Sequence, residues 1–167
     1  KVIGFGSHIQ ITNFDANTSF EPQPIDRIQE FYPRMHKVKG IRHIQVYATK
    51  AGIVKTEEEI HGVVIKGIGA DFDWDFFKSK IIEGKTFQVK DGVKSNDIII
   101  SKLIADKLRF SVGDDLIMYF IQQPPRIRKF TIAGIYETGL LEFDQRYIIG
   151  DIAHVQKLND WNENQIG

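Results

Sequence analysis

The chain has 167 residues, of which 42% are hydrophobic and 26% are charged, a composition typical of a folded globular domain. Its 22 basic and 22 acidic residues cancel, so the basic excess that binds nucleic-acid phosphates is absent and nucleic acid is not an expected partner. Cysteine is absent, which excludes disulfides, thiolate nucleophiles and cysteine-ligated zinc. The longest apolar run, residues 116–121, is far shorter than the ~20 residues of a membrane helix.

Strands are predicted where apolar and polar residues alternate, or where a short apolar run lies between turn residues. These segments are residues 8–14, 41–49, 53–55, 61–68, 98–100, 116–121, 128–136 and 146–149. Ala51-Gly52 is predicted to be the turn of one hairpin. Residues 122–127, which contain Pro124-Pro125, are predicted to be the tip of a second hairpin.

Helices are predicted where apolar residues recur at helical spacing. The first covers residues 25–38 and should end or kink at Pro33, and the second covers residues 71–82, before Gly84. Ser101 is predicted to cap a third helix, whose inward-facing residues are Leu103, Ile104 and Leu108. Asp151 is predicted to cap a fourth helix, whose inward-facing residues are Ile152, Val155 and Leu158. Several strands interrupted by short helices predict an α+β fold with mixed, largely antiparallel sheets. Residues 98–100, 116–120 and 130–135 are expected to share one sheet region.

Asp71, Asp73 and Asp75 stand at alternate positions, as the first ligands of a calcium-binding loop do. Such a loop also needs a glycine where Phe76 stands and a bidentate glutamate where Ile82 stands. We therefore interpret the three aspartates as capping and first-turn acids of the second helix, and we expect no metal and no cofactor.

The remaining candidates for chemistry are incomplete. The histidines show no metal-ligand spacing, and no serine has the sequence context of a nucleophile. Two glycine pairs lack the third glycine of a phosphate-binding loop, and three acids lack a neighbouring base or nucleophile. These residues are His8, His36, His43, His61 and His154; Ser101; Gly4 with Gly6 and Gly67 with Gly69; and Glu137, Glu142 and Asp144. No catalytic residue is predicted.

The tip of the second hairpin differs from these sites because it is polar, basic and stiffened by proline. Its residues are Gln122, Gln123, Pro124, Pro125, Arg126 and, on the returning strand, Arg128. They form either a solvated loop or a preformed surface for a protein partner, since prolines lower the ordering cost of binding and arginine pairs well with carboxylates. We expect both arginines to project from one face of the strand.

Four segments carry a resemblance to a known family: "IIEGKTF", "NDIIISKLIADKLRFSVGDDLIMYF", "RKFTIAGIYETGLLEFDQRYIIGD" and "HVQKLNDW". They resemble the extracytoplasmic core domain of ABC-transporter permeases of the MacB, LolC/LolE and FtsX superfamily, and the LolC/LolE lipoprotein-releasing branch most closely. The resemblance is strongest over residues 82–161 and includes Ile104-Ala105 and Gly113-Asp114.

The resemblance implies a MacB-like periplasmic core domain of two intertwined lobes, residues 1–55 plus 145–167 and residues 56–144. Part of one lobe is expected beyond Gly167, and the chain is read as a segment of a longer inner-membrane permease. The domain would be a non-enzymatic head that couples ATP hydrolysis on a cytoplasmic subunit to extraction of cargo. The implied partners are that ATPase, a second permease subunit, a LolA-like periplasmic carrier and a lipoprotein.

In LolC-type members the hairpin is elongated into a hook that grips the carrier, and Arg128 matches the arginine at its base. The tip between Ile121 and Arg128 is much shorter here, with six residues. A MacB-like exporter head, a freestanding binding module and a hydrolase with an unrecognised site therefore stay as alternatives. We expect the tip to be exposed and to point away from the membrane-proximal ends of the chain.

Overall fold

The computed structural model describes residues 7–14, 22–35 and 37–167. Its strands are β1 (Ile25–Asp26), β2 (Tyr47–Lys55), β3 (Ile60–Ile68), β4 (Ile81–Gly84), β5 (Asp97–Ser101), β6 (Asp115–Phe120), β7 (Arg126–Tyr136), β8 (Tyr147–Asp151) and β9 (Gln165–Ile166). Its helices are α1 (Tyr32–Met35), α2 (Asp75–Lys78), α3 (Lys102–Leu108), α4 (Leu141–Asp144) and α5 (Ile152–Leu158). None of these helices has the length and apolar character needed to cross a membrane.

Seven strands form one sheet in the order β4-β7-β5-β8-β3-β2-β6, and β6 pairs with β7 as well as with β2. This additional pairing closes β7, β5, β8, β3, β2 and β6 into a ring. Two pairings, β3 with β8 and β5 with β7, are parallel, and the other pairings of the ring are antiparallel. The predicted α+β class with largely antiparallel sheets is confirmed, as is the shared sheet of residues 98–100, 116–120 and 130–135.

The larger hydrophobic cluster lies on one face of the sheet. There, side chains from all six strands of the ring pack with α3 and α5. A second cluster lies on the opposite side and joins Ile99 and Ile149 to aromatic residues near α2. Phe77 is its centre, since its ring packs against Phe72 and edge-to-face against Tyr136. Successive strand residues point to opposite faces, so the isoleucine runs of β5 and β8 supply both clusters.

The junction between β5 and α3 has the same structure as the junction between β8 and α5. Ser101 Oγ accepts the N–H of Ile104 at 3.1 Å, and Asp151 Oδ1 accepts the N–H of Ala153 at 2.9 Å, so each strand ends on the residue that caps the next helix. Both caps were predicted and are confirmed. Leu103 is a correction to the predicted inward face of α3, because it is exposed while Ile104 and Ala105 are buried.

The N-terminal predictions are wrong in two places. Residues 8–14 form no strand, because Ile9, Ile11 and Phe14 are all exposed and no neighbouring strand covers either face. Residues 25–38 do not form one helix, because the first two belong to β1, which pairs with β9, and α1 has four residues.

The hairpin predicted at Ala51-Gly52 does not exist, because both residues lie inside the continuous strand β2. Gly52 is there for close packing: a Cβ at this position would lie 2.5 Å from Met118 Cε and 3.1 Å from the Tyr119 carbonyl oxygen. The turn instead falls between β2 and β3, where the N–H of Thr56 donates to Glu59 O at 2.9 Å.

The helix predicted over residues 71–82 is also much shorter, since α2 has four residues and β4 begins at Ile81. Gly84 ends β4 rather than a helix. A Cβ on it would clash with the carbonyl oxygen of Ala133, so glycine permits β4 to approach β7. The division into two lobes stays a prediction, although strands of both expected lobes lie in one ring.

Candidate protein-interaction surface

The described residues contain no group of three or more metal-ligating side chains. The aspartates of the calcium-like pattern bind backbone groups instead: Asp71 Oδ2 accepts the N–H of Val46 at 3.1 Å, and Asp73 Oδ1 accepts the N–H of Asp75 at 2.9 Å. Burial raises the pKa of Asp71. Asp73 thus bonds at the start of α2 and Asp75 lies in its first turn, as predicted, whereas the predicted helix role is wrong for Asp71, which bonds to a distant segment.

Three histidines also bond to backbone carbonyl groups in separate parts of the fold. His43 Nε2 lies 2.7 Å from Asp71 O, and His61 Nε2 lies 2.8 Å from Gln145 O, while His154 is treated below. His8 is exposed, and His36 lies outside the described residues. The hydrogen bonds of the described rings of His43, His61 and His154 thus go to three different segments.

Of the three predicted acids near residue 140, Asp144 is buried, and the other two, Glu137 and Glu142, are exposed. Asp144 accepts three hydrogen bonds, from Thr138 N–H at 3.2 Å, Thr138 Oγ1 at 2.6 Å and Gly139 N–H at 3.0 Å. It holds the turn before α4. Gly67 is a packing residue, because a Cβ there would lie 2.7 Å from the Cα of Ile152 in α5. The pair Gly4 and Gly6 lies outside the described residues.

A shallow depression of about 220 Å³ lies between the β2–β3 turn and the end of α3. Ion pairs line it, since Arg109 Nη1 is 3.1 Å from a Glu58 carboxylate oxygen and Lys107 Nζ is 4.0 Å from Glu59. Both pairs are exposed, and such pairs contribute ~1 kcal/mol or less each. The one hydroxyl group among the lining residues, that of Thr56, bonds to the backbone of Glu59 rather than to a carboxylate.

The β6–β7 hairpin is the predicted candidate surface. Its pairing runs from Asp115 opposite Thr131 to Phe120 opposite Arg126, which leaves residues 121–125 as the tip. On its inner face the side chains of the larger cluster are fully buried; these are Leu116, Met118, Phe120 and Phe130. The hairpin is thus rigidly packed up to its tip.

Two of the predicted tip residues hold the hairpin to α5. Arg126 Nη1 donates to Lys157 O at 2.7 Å, and Nη2 contacts both carboxylate oxygens of Asp160 at 2.9 and 3.1 Å. Gln122 Nε2 donates to Leu158 O at 3.0 Å. These contacts, which we call the tip clamp, occupy the carbonyl groups at the end of α5. The side chain of Arg126 is 25% exposed, so it is largely committed to the domain itself.

The other predicted residues of the tip are more exposed to solvent or make fewer contacts with the rest of the domain. Gln123, Pro124 and Pro125 are exposed, as expected of a tip. Arg128 is half-buried, and its Nη1 donates to Ile127 O at 2.8 Å. Arg126 and Arg128 do share a face, as predicted, but it is the inner face that continues to Phe130 and the buried core.

Pattern reasoning missed the apolar character of the outer face of the hairpin. Four large hydrophobic side chains are exposed on this face or at the tip beside it: Ile117 (41%), Tyr119 (37%), Ile121 (78%) and Ile127 (55%). Tyr119 stands directly opposite Ile127 on one side and Ile53 on the other, so an apolar row crosses three strands. The unbroken apolar run of residues 116–121 was the available signal, because one buried face of a strand requires apolar residues only at alternate positions.

The tip lies beside the C-terminal segment rather than far from it. The tip clamp joins it to residues 157–160, and the chain then continues to β9. Beyond β9, the N–H of Gly167 donates to Tyr47 O at 3.1 Å, and Gly167 O accepts the N–H of Thr49 at 2.8 Å. Strand β2 therefore contacts this end of the chain and, at Ile53, the hairpin. The expectation that the tip points away from both chain ends is not met at the C-terminal end.

No protein-family model matches the chain, and no curated protein matches it in sequence. Solved structures do match. The extracellular domain of the noncanonic ABC-type transporter YknZ from Gram-positive bacteria superposes with a TM-score of 0.58 at 20% identity, covering 86% of this chain and 70% of that one. The periplasmic region of MacB from Actinobacillus actinomycetemcomitans superposes with a TM-score of 0.58 at 13% identity, covering 93% of this chain and 67% of that one. The chain shares the fold of these domains.

Proposed function

We propose that the chain is the extracytoplasmic head domain of an ABC-transporter permease. The observation that carries this proposal is the fold, which matches two such domains over 86% and 93% of the chain. In this proposal the domain is not an enzyme. ATP is hydrolysed on a separate cytoplasmic subunit, and the head transmits the resulting motion of the membrane segments to a substrate or a partner protein.

The finer proposal is a lipoprotein-releasing permease of the LolC/LolE type, which works with a second permease subunit and a LolA-like carrier. The sequence segments between residues 82 and 161 support it. The short tip, residues 121–125, favours the second candidate, a MacB-like exporter head, because a five-residue tip offers little surface for gripping a carrier.

Within either candidate, the hairpin contacts the partner through the parts that the domain itself leaves exposed. These are Gln123, Pro124 and Pro125 at the tip and the apolar row centred on Tyr119. Stiff, preformed surfaces bind at a lower entropic cost than mobile loops. Gln122 and Arg126 then serve to orient the tip.

The general proposal is tested by purifying the full-length protein from its native cells with an affinity tag. We expect it in the detergent-solubilised membrane fraction, where an ATP-hydrolysing subunit should co-purify. Recovery from the soluble fraction with no ATPase would instead support a freestanding binding module. Turnover of an ester or peptide substrate by the purified chain would support a hydrolase.

The hairpin is tested by site-specific photo-crosslinking in the same cells. A photo-reactive phenylalanine analogue replaces Tyr119, which keeps an aromatic ring on the outer face. The control carries the analogue at Lys78, an exposed position on α2, outside the hairpin. Adducts at Tyr119 and not at Lys78 are expected; equal labelling would remove the hairpin from the interaction surface.

Arg128 remains a predicted partner contact. Arg128 is half-buried, but the hydrogen bond described for it goes to the carbonyl group of its neighbour Ile127 and ties no other element. We therefore expect Arg128→Glu to leave the melting temperature nearly unchanged and to weaken partner capture, because interface charges act mainly on association. Added salt should shrink the difference between variant and wild type. A large fall in melting temperature would show that Arg128, like Arg126, stabilises the domain itself.

A further inference from the structure

His154 lies where three elements meet. It belongs to α5, its side chain is 1% exposed, and its ring packs edge-to-face on Phe130 of β7 at a centroid distance of 4.8 Å. Its Nε2 lies 2.9 Å from the carbonyl oxygen of Ser95, in the segment before β5. The imidazole therefore contacts the hairpin base and the entry to β5 from one position on α5.

The hydrogen bond fixes the form of the ring. A carbonyl oxygen only accepts, so Nε2 carries the hydrogen and donates it to Ser95. In the neutral ring Nδ1 is then an acceptor, and it has no hydrogen-bond partner among the described residues. A second proton would place an N–H donor, and a full charge, in a buried position that offers neither an acceptor nor solvent.

The charged groups around the ring do not compensate for that cost. Lys94 before β5 and Arg128 on β7 oppose a positive charge, whereas Asp151 at the start of α5 favours one. Asp151 is already engaged, because its Oδ2 accepts the N–H of Ser95 at 2.8 Å. Burial is the dominant influence, and the pKa of His154 is lowered to about 4.

The same helix also carries the tip clamp at its other end, through Lys157 O and Leu158 O. Helix α5 thus holds the hairpin at two levels: at the base through His154 and Phe130, and at the tip through Arg126 and Gln122. The contact at the base is between aromatic rings, whereas the clamp at the tip consists of polar contacts.

We propose that His154 is an acid-sensitive latch, which in its neutral form holds α5, the β6–β7 hairpin and the segment before β5 together and which loosens them when it is protonated. The latch does not depend on the transporter proposal, because it follows from the interior of this chain. If the domain does face an extracytoplasmic space, its hairpin would respond to the acidity of that space.

The direction of the pH effect follows from linkage. An unfolded histidine titrates at ~6.5, whereas the folded His154 titrates at about 4, so the open form binds more protons between these values. Stability contributed by neutral His154 is complete above the unfolded pKa and is lost as the pH falls toward 4. At about pH 5 the local opening equilibrium should rise about twentyfold relative to about pH 7.

The first test is a titration of the wild-type imidazole by NMR. We expect the neutral tautomer with hydrogen on Nε2 to persist below about pH 5. A ring that titrates near ~6.5, or that carries its hydrogen on Nδ1, would overturn the latch. This measurement needs no variant and is decisive even where substitutions unfold the chain.

The second test is hydrogen exchange at about pH 7 and about pH 5, corrected for intrinsic rates. Exchange should rise at residues 94–97, 116–130 and 152–158 and stay low in β3. His154→Gln should abolish the pH dependence, because its amide can donate to Ser95 O without titrating. The control His43→Gln removes an exposed ring with a similar bond, to Asp71 O at 2.7 Å, and should behave as wild type. A uniform rise over all strands would mean global destabilisation and would refute a local latch.

Discussion

The tip clamp predicts a measurable coupling between Arg126 and Asp160. Arg126→Ala removes an ion pair, in which Nη2 contacts both carboxylate oxygens of Asp160, and a charged hydrogen bond to Lys157 O. Asp160 is 74% exposed, which weakens the pair, whereas Arg126 is only 25% exposed, so the ion pair contributes at most about 1 kcal/mol. The bond to a helix-end carbonyl adds about 1 kcal/mol more, because water can replace it only in part.

The expected free energy of unfolding of Arg126→Ala is therefore about 2 kcal/mol below that of wild type, which corresponds to a fall in melting temperature of roughly 4–8 °C for a chain of this size. Asp160→Asn is the matched partner variant, since asparagine tolerates the positive φ of 56° found at this position while it removes the charge. We expect this variant to lose about 1 kcal/mol or less.

The assay is urea denaturation of wild type, both single variants and the double variant, followed by circular dichroism. If the ion pair operates as described, the double variant should be more stable than the sum of single effects predicts, by about 1 kcal/mol. Salt near 1 M should reduce this coupling. If the two single losses in free energy of unfolding add to within about 0.3 kcal/mol, the two side chains do not interact. The tip clamp would then consist only of the hydrogen bonds to backbone carbonyl groups.

The remaining predictions concern packing, the buried carboxylate of Asp144 and metals. Gly67→Ala should lose about 1–3 kcal/mol, because its Cβ would lie 2.7 Å from the backbone of α5, whereas Gly62→Ala on the same strand meets nothing within 4 Å and should be neutral or slightly stabilising in thermal melts. Asp144→Ala leaves three donors without their acceptor and should cost roughly 2–4 kcal/mol in urea denaturation. Calorimetric titration with calcium or zinc should give no micromolar binding, and binding that is lost in Asp71→Asn or Asp73→Asn would contradict the structural role of these side chains.

The second half of the fold was predictable because its signals are local. Ser101 and Asp151 lie next to the helices they cap, and the isoleucine runs before them identify the strands without knowledge of their neighbours. The first half failed where the deciding contact is distant in sequence. Gly52 resembles a turn residue, and its role in an uninterrupted strand follows from Met118, which the chain brings to it only on folding.

For the candidate surface, too, local features were predictable from the sequence and distant contacts were not. Alternation and the proline pair located the hairpin, and they placed its tip at residues 122–127 where the structure has residues 121–125. They also placed both arginines on one face. Sequence did not reveal that this face turns inward, because the partner of Arg126 is Asp160, 34 positions further along the chain. The face of the hairpin that stays exposed is therefore the apolar outer face. The sequence pattern alone does not distinguish this face from an ordinary buried strand face.

The closure of the ring limits how any partner can recognise the hairpin. Many proteins are captured by strand addition, in which a segment of the partner lies along an open sheet edge and completes its backbone ladder. Here β6 is paired to β7 along its whole length and to β2 at Met118 and Tyr119, so at these two positions the strand offers no unfilled N–H or C=O group. At Met118 and Tyr119 recognition must therefore come from side chains, and the same pairing protects the centre of a strand that is apolar on both faces from edge-to-edge aggregation.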